Sequence, residues 1–397
     1  MLLVPITVSA QDDAPGLPPL RLGTALAADF HFKLQMDWRR FPTGPLTPAH
    51  PTFDLRRARL GIEGTLFSKV EYQVERNVDD DAKRWADVYA NVTLPHRLQL
   101  RAGRFKMPLG LEELTSISNL DLVYRALVSD YLAPGRDIGA MAHGAGWAGR
   151  IKYQFGAFRS GGDNARKSER AASPNGRTVA GRVVVKPWDR ARRAKFLSKL
   201  AVGVALTSGG IPDGANSVRG HDFADDSLFH PVYVNGRRRR LGTELEWRRG
   251  STGIRAERIH VAEERRGQGV DDEDLPDAIA DGWYLSGTWL VTGEKKTDHV
   301  KPAHPVSGGG IGAIEAAARI ESMRFGTSAA GAAASRDARA RVIAGDADRA
   351  ITCGLNWYPA RAFKLQFALI RQQIVRGGLT GDTKPGWARV LRLQVAL

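Results

Sequence analysis

Cationic side chains recur at alternating positions in four short runs: Lys33 and Arg39 in FHFKLQMDWRR, Arg57 and Arg59 in LRRARLGIEG, Arg97 and Arg101 in RLQLRAG, and Arg182 and Lys186 in RTVAGRVVVK. A guanidinium donates paired hydrogen bonds to phosphate or carboxylate and stays charged at any working pH. Rows of such groups along a water-filled passage would favour anions, provided that no single site holds an ion too tightly. Arg56 has the opposite parity and belongs on the other face, unless a bulge or the strand end turns it.

Side chains can share a face in this way only on β-strands, where successive residues point to opposite sides. In FHFKLQMDWR, Phe30, Phe32, Leu34, Met36 and Trp38 fall on one side, with His31, Lys33, Gln35, Asp37 and Arg39 on the other. In a soluble sandwich the apolar side would be the core. In an outer-membrane barrel it would be the lipid-facing wall, with the polar side lining a lumen. RARLGIEGTL and VEYQVE continue the alternation as a hairpin and place Glu63, Glu71 and Glu75 on the polar side with the arginines. DVYANVTL and RLQLRAG form the next pair, and similar runs follow: IKYQFGAF, RTVAGRVVV, KLAVGVAL, LGTELEW, IRAERIHV, WYLSGTWLV, AIEAAARIESM, ITCGLNWY, FKLQFALI and LRLQVAL.

The pattern predicts an all-β fold, a transmembrane antiparallel β-barrel of about sixteen strands. Only 110–130 has any helical character. Short turns at 67–69, 95–96, 148–150 and 359–361 alternate with long polar loops at 41–52, 107–136, 160–176, 209–235, 264–280 and 326–346, as in outer-membrane barrels. Phe30, Trp38, Trp283, Trp289, Trp357, Tyr358, Phe363 and Trp387 lie near strand ends, where an interfacial aromatic girdle would sit.

The 397 residues are 43% hydrophobic and 25% charged, which suits a large barrel and argues against general disorder. No stretch has the roughly 18–20 continuous apolar residues of a spanning helix. The formal net charge of +15 implies anionic partners. Residues 1–10 read as the remnant of an export signal, 11–27 as a lead-in and 28–397 as one barrel domain. Cys353 is the single cysteine and reads as a wall residue. No catalytic or metal motif is evident: His143, His260, His299 and His304 are scattered, and DDEDLPD at 271–277 reads as an acidic loop. A membrane-barrel enzyme and a soluble nucleic-acid-binding β-protein remain as rival classes, the first lacking any visible Ser/His/acid cluster.

The strings LRRARLGIEGTLFSKVEYQVERN, VTLPHRLQLRAGRFKMPLGLEELTSISNLDLVYRALVSDYLAPGRDIGAM, RRLGTELEWRRG, WYLSGTWLVTGE, GAIEAAARIESMRF, ITCGLNWYPARAFKLQFAL and LRLQVAL, in this order over about residues 28–397, resemble the phosphate-selective porin O/P family of Gram-negative outer membranes. The resemblance implies a sixteen-stranded barrel, usually trimeric, that passes anions such as phosphate through a pore narrowed by an inward-folded loop, and it implies no cofactor and no nucleic acid. The loop corresponds to about 107–136, with Lys106, Glu112, Glu113, Arg125 and Arg136 as its charged candidates. Arg56 and Arg57 match the family's paired arginine at the pore wall. Glu113 stands where phosphate-specific members carry a lysine, so a general, mildly anion-preferring pore fits the residues as well as a phosphate channel does. Outer-membrane lipid and lipopolysaccharide are the expected surroundings, and Arg237–Arg240 reads as a rim patch or lipopolysaccharide contact ahead of a strand.

Overall fold

The computed structural model describes residues 20–397 except 24, 42–51, 80–83, 165–176, 190–194, 226, 328–334, 336, 338–342, 344–346 and 376–385. The expected export-signal remnant at 1–10 and much of the 11–27 lead-in lie outside the described residues, as do most of the loops at 41–52, 160–176 and 326–346.

Sixteen strands form the wall. They are β1 Leu26–Arg40, β2 Thr52–Leu66, β3 Val70–Asn77, β4 Trp85–Thr93, β5 Gln99–Lys106, β6 Arg136–Gly146, β7 Ile151–Phe158 and β8 Thr178–Val185. There follow β9 Ala201–Gly214, β10 Val234–Arg249, β11 Thr252–Arg265, β12 Leu275–Leu290, β13 Ala313–Thr327, β14 Ala347–Ala360, β15 Phe363–Val375 and β16 Gly386–Ala396. Each pairs antiparallel with its neighbours in sequence, and β16 returns to β1 with Arg389 opposite Arg40 and Ala396 opposite Lys33, so the sheet closes. Closure leaves no free edge, the condition for strands to cross a bilayer.

The alternation is inverted relative to a soluble protein. Apolar side chains such as Leu206 (58% exposed) and Phe155 (54%) point outward, while charged ones such as Asp37 (0%) and Arg319 (1%) are buried within. All seven tryptophans and phenylalanines expected near strand ends are exposed on the outer wall, with Trp387 the most open. Tyr358 departs from that expectation. It turns inward, 7% exposed, and donates its hydroxyl to Glu315 at 2.7 Å.

The region 107–135 has one α-helical turn, Leu111–Leu114, a 3-10 turn at Ile117–Asn119 and one wide turn at Val128–Leu132, and otherwise irregular backbone. It folds into the barrel, where Leu109, Val123, Leu127 and Leu132 pack against Ile259, Val261, Tyr284 and Ile370 of the wall. Val218, Phe223 and Phe229, from a segment expected to be a polar surface loop, join the same cluster. Two connections on the short-turn rim, 186–200 and 291–312, are long, and the second folds inward so that Val300 packs on Leu290, Ala313 and Tyr358. The half of the lumen bounded by β10–β16 is therefore filled.

Arg237–Arg240 lies within β10 and not ahead of a strand. Parity divides the four: Arg238 and Arg240 are buried inside (6% and 2%), while Arg237 and Arg239 face out. A run of four identical residues conceals its own alternation, so the sequence could not separate them.

Gly103 in β5 has φ +131°, and a Cβ there would lie 2.3 Å from the Val88 carbonyl oxygen. Only glycine accommodates both constraints. Gly103→Val is expected to destabilise the barrel by more than about 2 kcal/mol and to reduce the fraction that migrates as the folded, heat-modifiable band after refolding in detergent; an unchanged folded fraction would contradict this reading.

Candidate functional site

The open half of the lumen is walled by β1–β8 and roofed by the inward loop. Two cavities of about 370 and 520 Å³ lie there, and both are lined by Arg57, Arg59, Ile117, Arg125 and Arg136. These five side chains mark the junction where one cavity passes into the other. Arg57 and Arg59 come from β2, Arg136 opens β6, and Ile117 and Arg125 come from the loop. The passage thus has a wall side and a loop side, each contributing guanidinium groups.

The larger cavity, toward the long loops, is balanced in sign: Arg56 and the four junction arginines face Asp54, Asp79, Glu113, Asp130, Asp163 and Asp225. The smaller, toward the short turns, is strongly cationic. Lys33, Arg101, Lys106 and Arg182 join the junction arginines there, against only Glu75 and Asp87. An ion crossing between them moves from a neutral to a positive environment.

Most of these cations are held by carboxylates. Glu75 accepts from Lys33 Nζ at 2.7 Å and Arg59 Nη1 at 2.9 Å; Asp87 accepts from Arg136 Nη2 at 2.7 Å; Glu244 binds Arg182 at 2.5 and 3.0 Å. Arg39 pairs with Asp54 at 2.9 Å near the long-loop rim, away from the junction. Arg56, Arg57 and Arg101 have no carboxylate or hydrogen-bond partner among the described residues. Arg101 stacks on Tyr89 at 4.1 Å, and Arg56 lies 5.9 Å over Tyr124.

The parity objection to Arg56 is resolved by a bulge. Gln35 pairs with Arg57 and Met36 with Leu55, so Arg56 is the extra residue and lines the larger cavity beside Arg57. Register is set by the neighbouring strand and cannot be read from β2 alone.

Two of the wall candidates are displaced. Arg97 lies in the turn at Pro95–Arg97 with φ +62°, exposed, because β5 begins at Gln99. Lys186 lies one residue beyond β8, at the short-turn rim. Neither lines the junction.

The loop's own charges divide by task. Glu112 is buried; its carboxylate accepts from Ala126 N at 2.5 Å and Arg319 Nη1 at 3.3 Å. Glu113 pairs with Arg125 at 3.1 Å, and Lys106 Nζ donates to the Glu113 and Thr115 carbonyls. The acidic residue at this position is therefore neutralised by an arginine of the same loop.

A buried loop must satisfy its backbone polar groups, and the wall opposite does so. Glu257 accepts from Leu111 N and Ser129 Oγ, both at 2.8 Å, and Glu321 from Leu127 N at 2.7 Å. Lys364, Asn356 and Gln394 donate to the carbonyls of Leu120, Asp121 and Ser118 at 2.5, 2.7 and 2.9 Å, and Arg392 to that of Val123. Sequence reasoning found the loop but not these anchors; inward polar residues on otherwise ordinary strands were the available signal.

Lys296, from the 291–312 connection, bonds Asp121 and Glu315, each at 2.5 Å, and ties the loop to the short-turn rim. Burial alone would raise the Asp121 carboxyl, but the Lys296 ammonium and Arg255 guanidinium outweigh it and hold the group down at about 2. Its contribution to stability is then present above the ordinary aspartate range and lost as pH falls through about 2. The share of the single-channel step that depends on this pair, taken as the difference between the wild type and Lys296→Met, should hold from neutral pH to about 4 and change only nearer 2; a change in that difference between pH 6 and 5 would contradict this assignment.

Among the described residues no group of three His, Cys, Asp or Glu side chains could hold a metal ion.

The profile of the family described as phosphate-selective porin O and P matches residues 30–396. No curated protein matches the chain significantly by sequence. Solved structures share its fold at low identity. OmpT, an outer-membrane protein of Vibrio cholerae, superposes with a TM-score of 0.59 at 10% identity, covering 96% of this chain and 100% of its own. The outer membrane channel DcaP of Acinetobacter baumannii gives 0.62 at 8% identity, again over 96% and 100%. A trimer form of OmpT gives 0.58 at 11% identity, over 93% and 99%.

Proposed function

The chain belongs to the phosphate-selective porin O and P family and is an outer-membrane porin, and on that premise we propose that its pore prefers small anions, phosphate among them. The observation that carries the proposal is the junction: four arginines from wall and loop converge between two cavities, and Arg57 among them has no counter-ion among the described residues. An anion reaching that point supplies the missing partner, while a cation meets uncompensated positive charge in a narrow, partly dehydrated passage.

Neighbouring charges keep the site from becoming a trap. Arg59 and Arg136 share their charge with Glu75 and Asp87, and Arg125 with Glu113, so an anion competes with carboxylates for each fork. That arrangement favours exchange over retention.

A second reading, a general and weakly selective porin, draws support from the sign-balanced larger cavity. Phosphate titrated into chloride separates the two: the proposal expects the chloride current to fall at phosphate concentrations well below that of chloride, and a current indifferent to phosphate would leave the general porin. Assembly as a homotrimer is proposed with it, by analogy with the OmpT trimer form; crosslinking of the detergent-purified protein tests it.

A further inference from the structure

The outward face of a barrel wall should be apolar over its membrane height, and an arginine there costs about 2–4 kcal/mol at the bilayer midplane, falling to about 0–1 at the interface. Strands β11–β15 break that rule in one place. A groove of about 890 Å³ on the outer wall is lined by Arg258, Arg324, Arg349 and Arg371 together with exposed Trp283, Ile320 and Ile351.

The arginines are ordered. Arg349 lies opposite Ser322, two residues from Arg324, and Arg371 lies opposite Ile351, two residues from Arg349. Each is thus the diagonal neighbour of the last, a Cα step of roughly 7–8 Å that long side chains bridge. Arg258 pairs with Asp281 at 3.0 Å, but Arg324, Arg349 and Arg371 have no carboxylate partner among the described residues. Three like charges in diagonal contact repel one another unless an anion sits among them.

All three lie in the half of their strands nearest the long loops: Arg324 is three residues from the end of β13, Arg349 two from the start of β14, and Arg371 four from the end of β15. In outer-membrane barrels that rim faces the exterior. The adjacent leaflet there presents phosphate groups on a lipid whose acyl chains continue down the wall.

We propose that this groove is a binding site for a phosphorylated lipid headgroup of the outer leaflet, with Arg324, Arg349 and Arg371 gripping phosphate and Trp283, Ile320 and Ile351 receiving the proximal acyl chains. Charge complementarity selects this occupant: the groove carries a net positive charge beside an apolar floor, and a phosphorylated, acylated molecule matches both. The site is on the outside of the wall and shares no residue with the pore junction.

The test uses the full chain folded in detergent, titrated with bisphosphorylated lipid A and with its dephosphorylated counterpart, and read by native mass spectrometry. The wild type is expected to favour the phosphorylated form by at least about tenfold, and R324Q/R349Q/R371Q to lose that preference while keeping its heat-modifiable band and its conductance. Lipid selectivity unchanged in a folded triple variant would overturn the proposal. So would full competition by inorganic phosphate, which would make the groove a free-anion site, and so would a loss of oligomers without a change in lipid binding, which would make it a subunit contact.

Discussion

Arg57→Ala is expected to cut the ratio of anion to cation permeability by about fivefold or more while leaving the barrel folded. Two unit charges about 5 Å apart interact by about 3 kcal/mol at an effective dielectric constant of about 20, and mobile salt screens part of this. What remains is enough to bias permeation, because about 1.4 kcal/mol is a factor of ten. Arg57 forms no ion pair among the described residues, so its removal orphans none of their carboxylates and should not unfold the wall. Arg59→Ala would be a poorer probe, since it would leave Glu75 short of a partner at 1% exposure. Arg57→Lys separates charge from geometry: it should keep most of the anion preference in chloride but weaken the block by phosphate, because an ammonium cannot donate a paired fork. Selectivity and block that survive Arg57→Ala intact would place the selective element elsewhere.

Glu257→Ala should release the loop. Its carboxylate accepts from Leu111 N, Ser129 Oγ and, at 3.4 Å, Glu112 N, at both ends of the roof over the passage. Each donor left unpaired in a buried site costs about 1–3 kcal/mol, and the removed side chain leaves a gap beside the loop's apolar cluster. The barrel itself should persist, since its sixteen pairings are untouched and Arg319, Lys364 and Arg392 still grip the loop. The expected record is therefore a larger, noisier open step with reduced selectivity in a protein that still shows its folded band. Glu257→Gln keeps one acceptor oxygen and should fall between. Steps identical to the wild type in both variants would mean that the loop does not set the width of the passage.

The barrel was legible in the sequence because its determinant is local: a period of two, repeated about sixteen times, fixes strand and face together. FHFKLQMDWR sorts in the structure as its letters do, with Gln35 and Asp37 within and Phe30 and Trp38 without. The inward loop was legible through the family resemblance, and Leu111, Leu114, Leu120 and Leu122 suit a segment that packs inside a barrel. The same signal was present in Val218, Phe223, Leu228 and Phe229 and was overridden by the polar residues around them.

What escaped depends on pairs distant in sequence. The bulge at Arg56 is made by β1, the partner of Arg136 comes from β4, and that of Arg182 from β10. Which cations remain without a counter-ion is a property of the closed wall, so Arg57 and Arg101 could not be distinguished from Arg59 and Arg182 by parity. Arg97 and Lys186 failed for a simpler reason. Alternation says which face a residue takes on a strand, but not where the strand stops, and both lie just beyond an end.

The most direct measurement is the zero-current potential of single channels in a planar bilayer under a potassium chloride gradient. A potential of the sign set by chloride, reduced toward zero in Arg57→Ala, is the result expected of a pore whose junction is made by Arg57, Arg59, Arg125 and Arg136. A potential set by potassium in the wild type, from well-folded protein with clear steps, would contradict the account.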